Sequence, residues 1–234
     1  TLNAVTAAMN NNQYQLVVTS CSATGLTSSV VSLTVNSAPS ISANPVDATV
    51  CDGGSNTFCV TASGTGLTYQ WQVNTGGCGG ATWTDIPGAT SNCLTISSIN
   101  ISQNNTAYHC VISGTCAPTV TSNCAALTVN AATAITTNPV DVSGCPGTNA
   151  SFTVAATGAG LGYQWQVSTN GGTSFSNLNG ETNSSLNLQN ITSGMNSNVY
   201  RAVVTSNCSA VGINSDPATL TVLSAAEIAL QPVN

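Results

Sequence analysis

Apolar and polar residues alternate along almost the whole chain in short runs, and Gly, Asn, Pro and Ser break the runs at short intervals. A period of two over four to eight positions marks half-buried antiparallel strands. No window carries the 3.6-residue period of an amphipathic helix. The pattern predicts strands near 40–46, 56–63, 67–74, 81–86, 93–98, 106–113 and 120–130. A second set is predicted near 134–140, 149–157, 161–168, 173–178, 185–190, 198–205 and 212–223. GGSN at 53–56, NTGGCGG at 74–80 and NGGTS at 170–174 are turn chemistry, because Gly and Asn tolerate positive φ. Pro45, Pro139 and Pro232 are expected on first, edge-like strands, where a missing N–H does least harm.

The two strand sets are copies of one unit. ISANPVD at 41–47 matches ITTNPVD at 135–141 and IALQPVN at 228–234, which places their prolines 94 and 93 residues apart. LTYQWQV at 67–73 matches LGYQWQV at 161–167, with Trp71 and Trp165 again 94 apart. Tyr14, Tyr108 and Tyr200 occupy one position of a third recurring segment. A period of this length is a whole small domain and is far too long for a helical solenoid repeat. We therefore expect the last part of a domain over 1–38, complete domains over 39–131 and 132–224, and the first strand of another over 225–234. The fold class expected is all-β, in tandem antiparallel sandwiches with partial domains at both ends.

Composition narrows the function classes. Only 3% of the 234 residues are charged, Arg201 is the only Lys or Arg, His109 is the only histidine, and the net charge is −6. A nucleic-acid partner needs a basic footprint, and an anionic membrane surface needs the same. Neither is expected. No run of about 18 apolar residues exists to insert as a helix. No basic-then-apolar leader follows Thr1, so we expect either a mature chain or a piece of a longer one. The 10 cysteines include no CxxC pair, and with one histidine no zinc site and no cofactor is expected. Thiols at this density belong in an oxidising compartment, so we expect an extracellular or cell-surface protein.

In the first complete unit, Cys59, Trp71, Tyr108 and Cys110 stand on the second, third and penultimate strands. This order resembles the immunoglobulin pattern of an inter-sheet disulfide, a tryptophan packed on it and a tyrosine corner. The resemblance implies a Cys59–Cys110 bridge and a core built on Trp71, Trp165, Tyr108, Tyr200 and, in the partial unit, Tyr14. In the second unit Val154 and Ala202 are read at the positions of Cys59 and Cys110. Cys51 recurs as Cys145 and Cys116 as Cys208, so bridges Cys51–Cys116 and Cys145–Cys208 are expected within each unit. Cys78 and Cys93 have no counterparts and flank one segment, so they are expected to pair. Cys21 aligns with Cys116 and Cys208, and its partner is expected in the front of its own domain. Cys124 is left with three alternatives: free, bonded to Cys116, or bonded to another chain.

YQWQV, GGATWTDIPGAT, LTISSI, Tyr-x-Cys and LTVN together are similar to the immunoglobulin-like repeats of giant secreted or surface proteins of Bacteroidota-type bacteria. That resemblance implies tandem arrays, an extracellular location and roles in adhesion, stalks or filaments. It transfers no catalytic residue, and no GxSxG frame accompanies His109, so no enzyme is expected. Strand alternation turns His109 away from Tyr108 and Cys110. Asp47 and Asp141 recur near the domain junctions, where a calcium site or a turn role are the alternatives. Trp83 and Phe175 are either an exposed aromatic contact for a sugar or packing in the core or at a sheet edge. The expected function is a structural repeat of an extracellular filament, stalk or surface array, with copies of itself or neighbouring repeats as partners, joined head to tail by strand complementation. The alternative is an adhesin module that recognises a glycan or a surface protein.

Overall fold

The computed structural model describes residues 1–19, 21 and 25–224. The strand expected over 225–234 lies outside the described residues. By its contacts the chain falls into two compact units. One combines Thr1–Val50 with Gly54–Thr128. The other combines Cys51–Gly53 with the chain from Val129 onward.

The first unit opens with β1 (Gln13–Tyr14), β2 (Val17–Val18), β3 (Leu26–Thr27) and β4 (Val31–Ser32), in which β1 pairs with β4 and β2 with β3. The first repeat follows with β5 (Ser40–Ala43), β6 (Ala48–Cys51), β7 (Asn56–Cys59), β8 (Thr61–Ser63) and β9 (Thr68–Asn74). It continues with β10 (Thr84–Asp85), β11 (Cys93–Ile96), β12 (Ala107–Ser113), β13 (Val120–Thr121) and β14 (Ala125–Asn130). One sheet runs β10-β9-β12-β14-β6, with β13 beside β12. The ladders β5-β8 and β7-β11 form the other side.

Alternation along β9 and β12 sends Trp71, Tyr108, Cys110 and Ile112 inward, and all are buried with Phe58, Val60, Leu94 and Leu127. The Trp71 indole donates to Ser91 O at 2.9 Å, so its polar atom is satisfied in the core. The Phe58 and Tyr108 rings stack at 5.0 Å.

The second repeat reproduces this plan in the second unit. Its strands are β15 (Ala134–Thr137), β16 (Val142–Gly144), β17 (Ala150–Thr153), β18 (Ala155–Thr157) and β19 (Gly162–Ser168). They continue with β20 (Ser176–Asn177), β21 (Ser185–Leu188), β22 (Val199–Ser206), β23 (Ser209–Asn214) and β24 (Ala218–Val222). The larger sheet runs β16-β24-β22-β19-β20, with β16 parallel to β24. Its core joins Phe152, Val154, Trp165, Leu186, Tyr200, Ala202, Val204 and Leu220.

Both first strands depart from the expectation in the same way. Each ends before its proline, and a second piece beyond the expected bounds follows it: β6 after Pro45 and β16 after Pro139. The piece before the proline pairs with β8 or β18, and the piece after it joins the opposite sheet beside β14 or β24. The missing N–H thus falls at a switch between sheets. The last strand is also cut, just after Ser122 and Ser215, whose N–H groups still donate to Cys110 O and Ala202 O. Their hydroxyls accept from Cys110 N and Ala202 N, both at 2.9 Å.

Residues 1–36 repeat the register of the penultimate and last strands of a complete repeat. Tyr14↔Val31 and Val18↔Leu26 correspond to Tyr108↔Ala125 and Ile112↔Val120. Leu16 and Val18 stand where Cys110 and Ile112 are fully buried, yet they are 65% and 53% exposed. The sequence places Leu33 and Val35 on the same uncovered face, and these two are half-buried.

Candidate functional site

Two features of the described chain carry chemistry: the cysteine framework and an aromatic cluster on the outer face of each larger sheet. Three disulfides are formed, and each overturns an expected pairing.

Cys59 does not reach Cys110. It lies on β7 between the buried Phe58 and Val60, so alternation turns it outward. There it sits directly opposite Cys93 on β11 and bonds to it, with Cα atoms 4.1 Å apart. The residue at this place in the second repeat is Thr153, opposite Ser185, rather than Val154. The immunoglobulin reading was one residue out of step, and on a strand one residue changes the face. Cys110 is therefore a buried free thiol opposite Trp71.

Cys78 bonds to Cys124, not to Cys93. Val73, Tyr108 and Ala125 share one register line across β9, β12 and β14. The loop after β9 therefore needs only to fold back to meet the residue before Ala125.

Cys51 bonds to Cys208, so neither Cys51–Cys116 nor Cys145–Cys208 forms, and Cys21, Cys116 and Cys145 are free thiols. The topology explains this. Cys51 ends β6, and the next residue's N–H donates to Asn130 O at the far end of β14. Cys116 follows the opposite end of β12, which is antiparallel to β14. Seven strand residues, roughly 23 Å, separate the two ends. A disulfide needs Cα atoms within about 7 Å. Cys208 lies instead beside Asn130, its Sγ 3.9 Å from Asn130 O, and its Cα is 5.7 Å from that of Cys51.

The free Cys110 thiol makes a direct prediction. Burial pushes it up to about 11 from an ordinary 9.0. Its contribution to stability is thus complete below about pH 9 and is lost as pH rises toward 11. Cys110→Ala places there the residue that the second repeat already has, Ala202. We expect it to cost only about 1 kcal/mol in urea unfolding and to remove that alkaline loss. A drop of several kcal/mol would show that Cys110 is bonded after all.

On the outer face, His109 stacks on Trp83 at 3.7 Å between ring centroids. His109 Nε2 meets Gln72 Oε1 at 2.6 Å, and Gln72 Nε2 donates to Asp85 Oδ1 at 2.7 Å. The second repeat builds the same cluster from other residues. The Arg201 guanidinium lies 4.0 Å over the Phe175 ring, Arg201 Nε donates to Gln166 Oε1, and Gln166 Nε2 donates to Asn177 Oδ1. His109 does point away from the core, as alternation requires, but it is half-buried in this stack, and burial lowers its pKa. Each aromatic ring has one face covered by its neighbour's side chain. Gln72 and Gln166 are the second glutamine of each YQWQV, and their alternation with Trp71 and Trp165 is the sequence signal that places them on the outer face.

Asp47 and Asp141 each accept a backbone N–H of the last strand, Ala126 N at 2.8 Å and Thr219 N at 2.7 Å. They tie the stretch between the split first strands to the sheet, which is the turn alternative. Asn100 accepts from Ser102 N and caps the 3-10 turn at Ile101–Gln103.

Both sandwiches fall in one family. Its profile, described as Domain of unknown function (DUF8696), matches residues 40–131 and 134–224, well over half the chain. The chain belongs to that family. It is also similar to Endoglucanase C of Cellulomonas fimi, with 38% identity over 141 residues that make up 59% of this chain and 12% of that protein. The chain thus spans a small fraction of that relative's length.

Among solved structures, an I-band fragment from titin aligns with a TM-score of 0.54 at 12% identity, over 91% of this chain and 74% of that one. Sidekick-1 immunoglobulin domains 1–4 give 0.56 at 14%, over 86% and 55%. Extracellular domains 3–5 of Drosophila OTK give 0.51 at 16%, over 91% and 71%. The fold is therefore a tandem of immunoglobulin-like β-sandwiches. Among the described residues no helix is long and apolar enough to cross a membrane.

Proposed function

We propose that the chain is a non-catalytic stretch of an extracellular array of immunoglobulin-like repeats, in which each sandwich serves as a structural spacer. The observation that carries this reading is the repetition of one core and one sheet plan in consecutive repeats while the surface chemistry changes. Phe58, Trp71 and Tyr108 recur as Phe152, Trp165 and Tyr200, all buried. The outer cluster instead passes from His109 and Trp83 to Arg201 and Phe175. Three disulfides support an oxidising, extracellular setting. The exposed face of Leu16 and Val18 supports further strands of the same kind packed over residues 1–36, from the same polypeptide or from a neighbouring copy.

A second reading has one specific support. Endoglucanase C carries a related segment, which fits an accessory module that binds a glycan through Trp83 and Phe175. Affinity electrophoresis in gels containing soluble β-glucans separates the two. As a spacer, the chain and Trp83→Ala migrate alike, with no retardation. Retardation of the parent chain that Trp83→Ala abolishes would replace the spacer reading with the glycan one.

A further inference from the structure

The free thiols are distributed by a rule that the Cys51–Cys208 bridge reveals. Each repeat has a front cysteine after its split first strand, Cys51 and Cys145. Each also has a rear cysteine after its penultimate strand, Cys116 and Cys208, with Cys21 at the same place in residues 1–36. The one bridge among these five joins the front cysteine of the first repeat to the rear cysteine of the second.

The topology of a single repeat rules out a bridge between its own front and rear cysteines. In the second repeat Gly144 stands opposite Val222, and Leu223 N donates to Gly144 O at 2.9 Å, so Cys145 lies where the last strand leaves the sandwich. Cys208 lies past the other end of β22, in the turn to β23. The eight residues of β22 alone span roughly 26 Å. A front cysteine therefore sits at the exit of its own repeat and never near its own rear cysteine. A rear cysteine sits at the entry of its repeat: Ser206, two residues before Cys208, hydrogen-bonds through its hydroxyl to Thr133, three residues after Asn130.

We propose that every front cysteine bonds the rear cysteine of the next repeat along the polypeptide, as a covalent ladder. Cys145 is then the exit half of a bridge to a following repeat. Cys116 and Cys21 are the entry halves of bridges to the front cysteines of preceding repeats. The assignment accounts for Cys21, Cys116 and Cys145, and the fourth free cysteine, Cys110, is a core residue outside the rule. Each bridge forms by loss of two thiol protons and two electrons to the disulfide-forming oxidant of an oxidising compartment. The ladder rests on the array reading above.

The test is non-reducing peptide mapping of the native polypeptide, digested with pepsin at low pH because Arg201 is the only tryptic site, together with its intact mass. The expected result is Cys51 linked to Cys208, and Cys145, Cys116 and Cys21 each linked to a peptide from outside these 234 residues. The Cys145 partner should resemble the segment around Cys208. Cys51–Cys116 or Cys145–Cys208 linkage overturns the proposal. So does alkylation of Cys145 as a free thiol in a polypeptide large enough to hold more repeats, an outcome that leaves the array reading standing. An intact mass of 23.3 kDa overturns both. In the 234-residue chain itself, Cys208→Ser should add one alkylatable thiol, at Cys51. Its appearance at Cys145 instead would also sink the ladder.

Discussion

Trp165→Ala will destabilise the second sandwich by about 3–5 kcal/mol, the range for removing a fully buried large aromatic side chain. Trp165 has no exposed surface. Phe152 packs on it at 6.4 Å between centroids, and Phe152 in turn stacks on Tyr200 at 4.9 Å. No disulfide among the described residues crosses from sheet to sheet in this repeat, so these three rings are the largest groups filling the space between the sheets. The indole also donates to Asn183 O at 2.9 Å, and truncation leaves that carbonyl unpaired. Across the register line stands only Ala202, too small to move into the space. Small domains are stable by about 5–15 kcal/mol, so the loss removes a large fraction of the total. Hydrogen exchange at Ala150–Thr153 and Ser185–Leu188 will read it locally, and urea unfolding will read it globally. Trp165→Phe should recover part of the loss. A cost below about 1 kcal/mol would mean that the ring cluster does not hold the sheets together.

The buried aromatic scaffold was the most legible part of the fold, because it depends on side-chain type and on a period of two. Trp71, Trp165, Tyr108 and Tyr200 are buried as expected, whereas Tyr14, expected in the core of the partial unit, is only half-buried because its face lies uncovered. Most strand positions follow from the same alternation. The cysteine pairing was not legible, for three physical reasons. Cys59 was assigned to the inner face by resemblance, and a parity of one residue decides the face. Cys51 and Cys116 were matched because both recur in each repeat, but recurrence says nothing about which end of a sandwich a residue occupies. The end depends on β6 joining the sheet beside β14, and the pattern predicts a single strand over 40–46 with nothing over Ala48–Cys51. Cys78 and Cys124 meet through a loop with no periodicity to read. On the outer face, Trp83 and Phe175 were picked out as aromatic. Their partners His109 and Arg201 differ in type, and only their shared register position relates them.

Cys51→Ser will lower the stability of the second unit by about 2–4 kcal/mol and leave the first sandwich close to its original stability. The asymmetry is the informative part. Cys51 and Cys208 are 157 residues apart, and closing so long a loop in an unfolded chain has an entropic limit near 5 kcal/mol. The loop that matters is shorter. Cys51 adjoins Asn130 through the Asp52 N–H, so while the first sandwich stays folded, the bridge restrains only the chain from about Asn130 to Cys208. Because the restraint depends only weakly on length, this change lowers the effect by about half a kcal/mol. Urea unfolding with hydrogen exchange read separately over Asn56–Cys59 and Ala150–Thr153 will show which sandwich weakens. Loss confined to the first sandwich would mean that Cys51 serves its own repeat, against the observed bridge. Cys145→Ser in the same chain should shift neither region, because its thiol is free here. The two front cysteines occupy equivalent places in their repeats, so a difference between them isolates the bridge from the side chain.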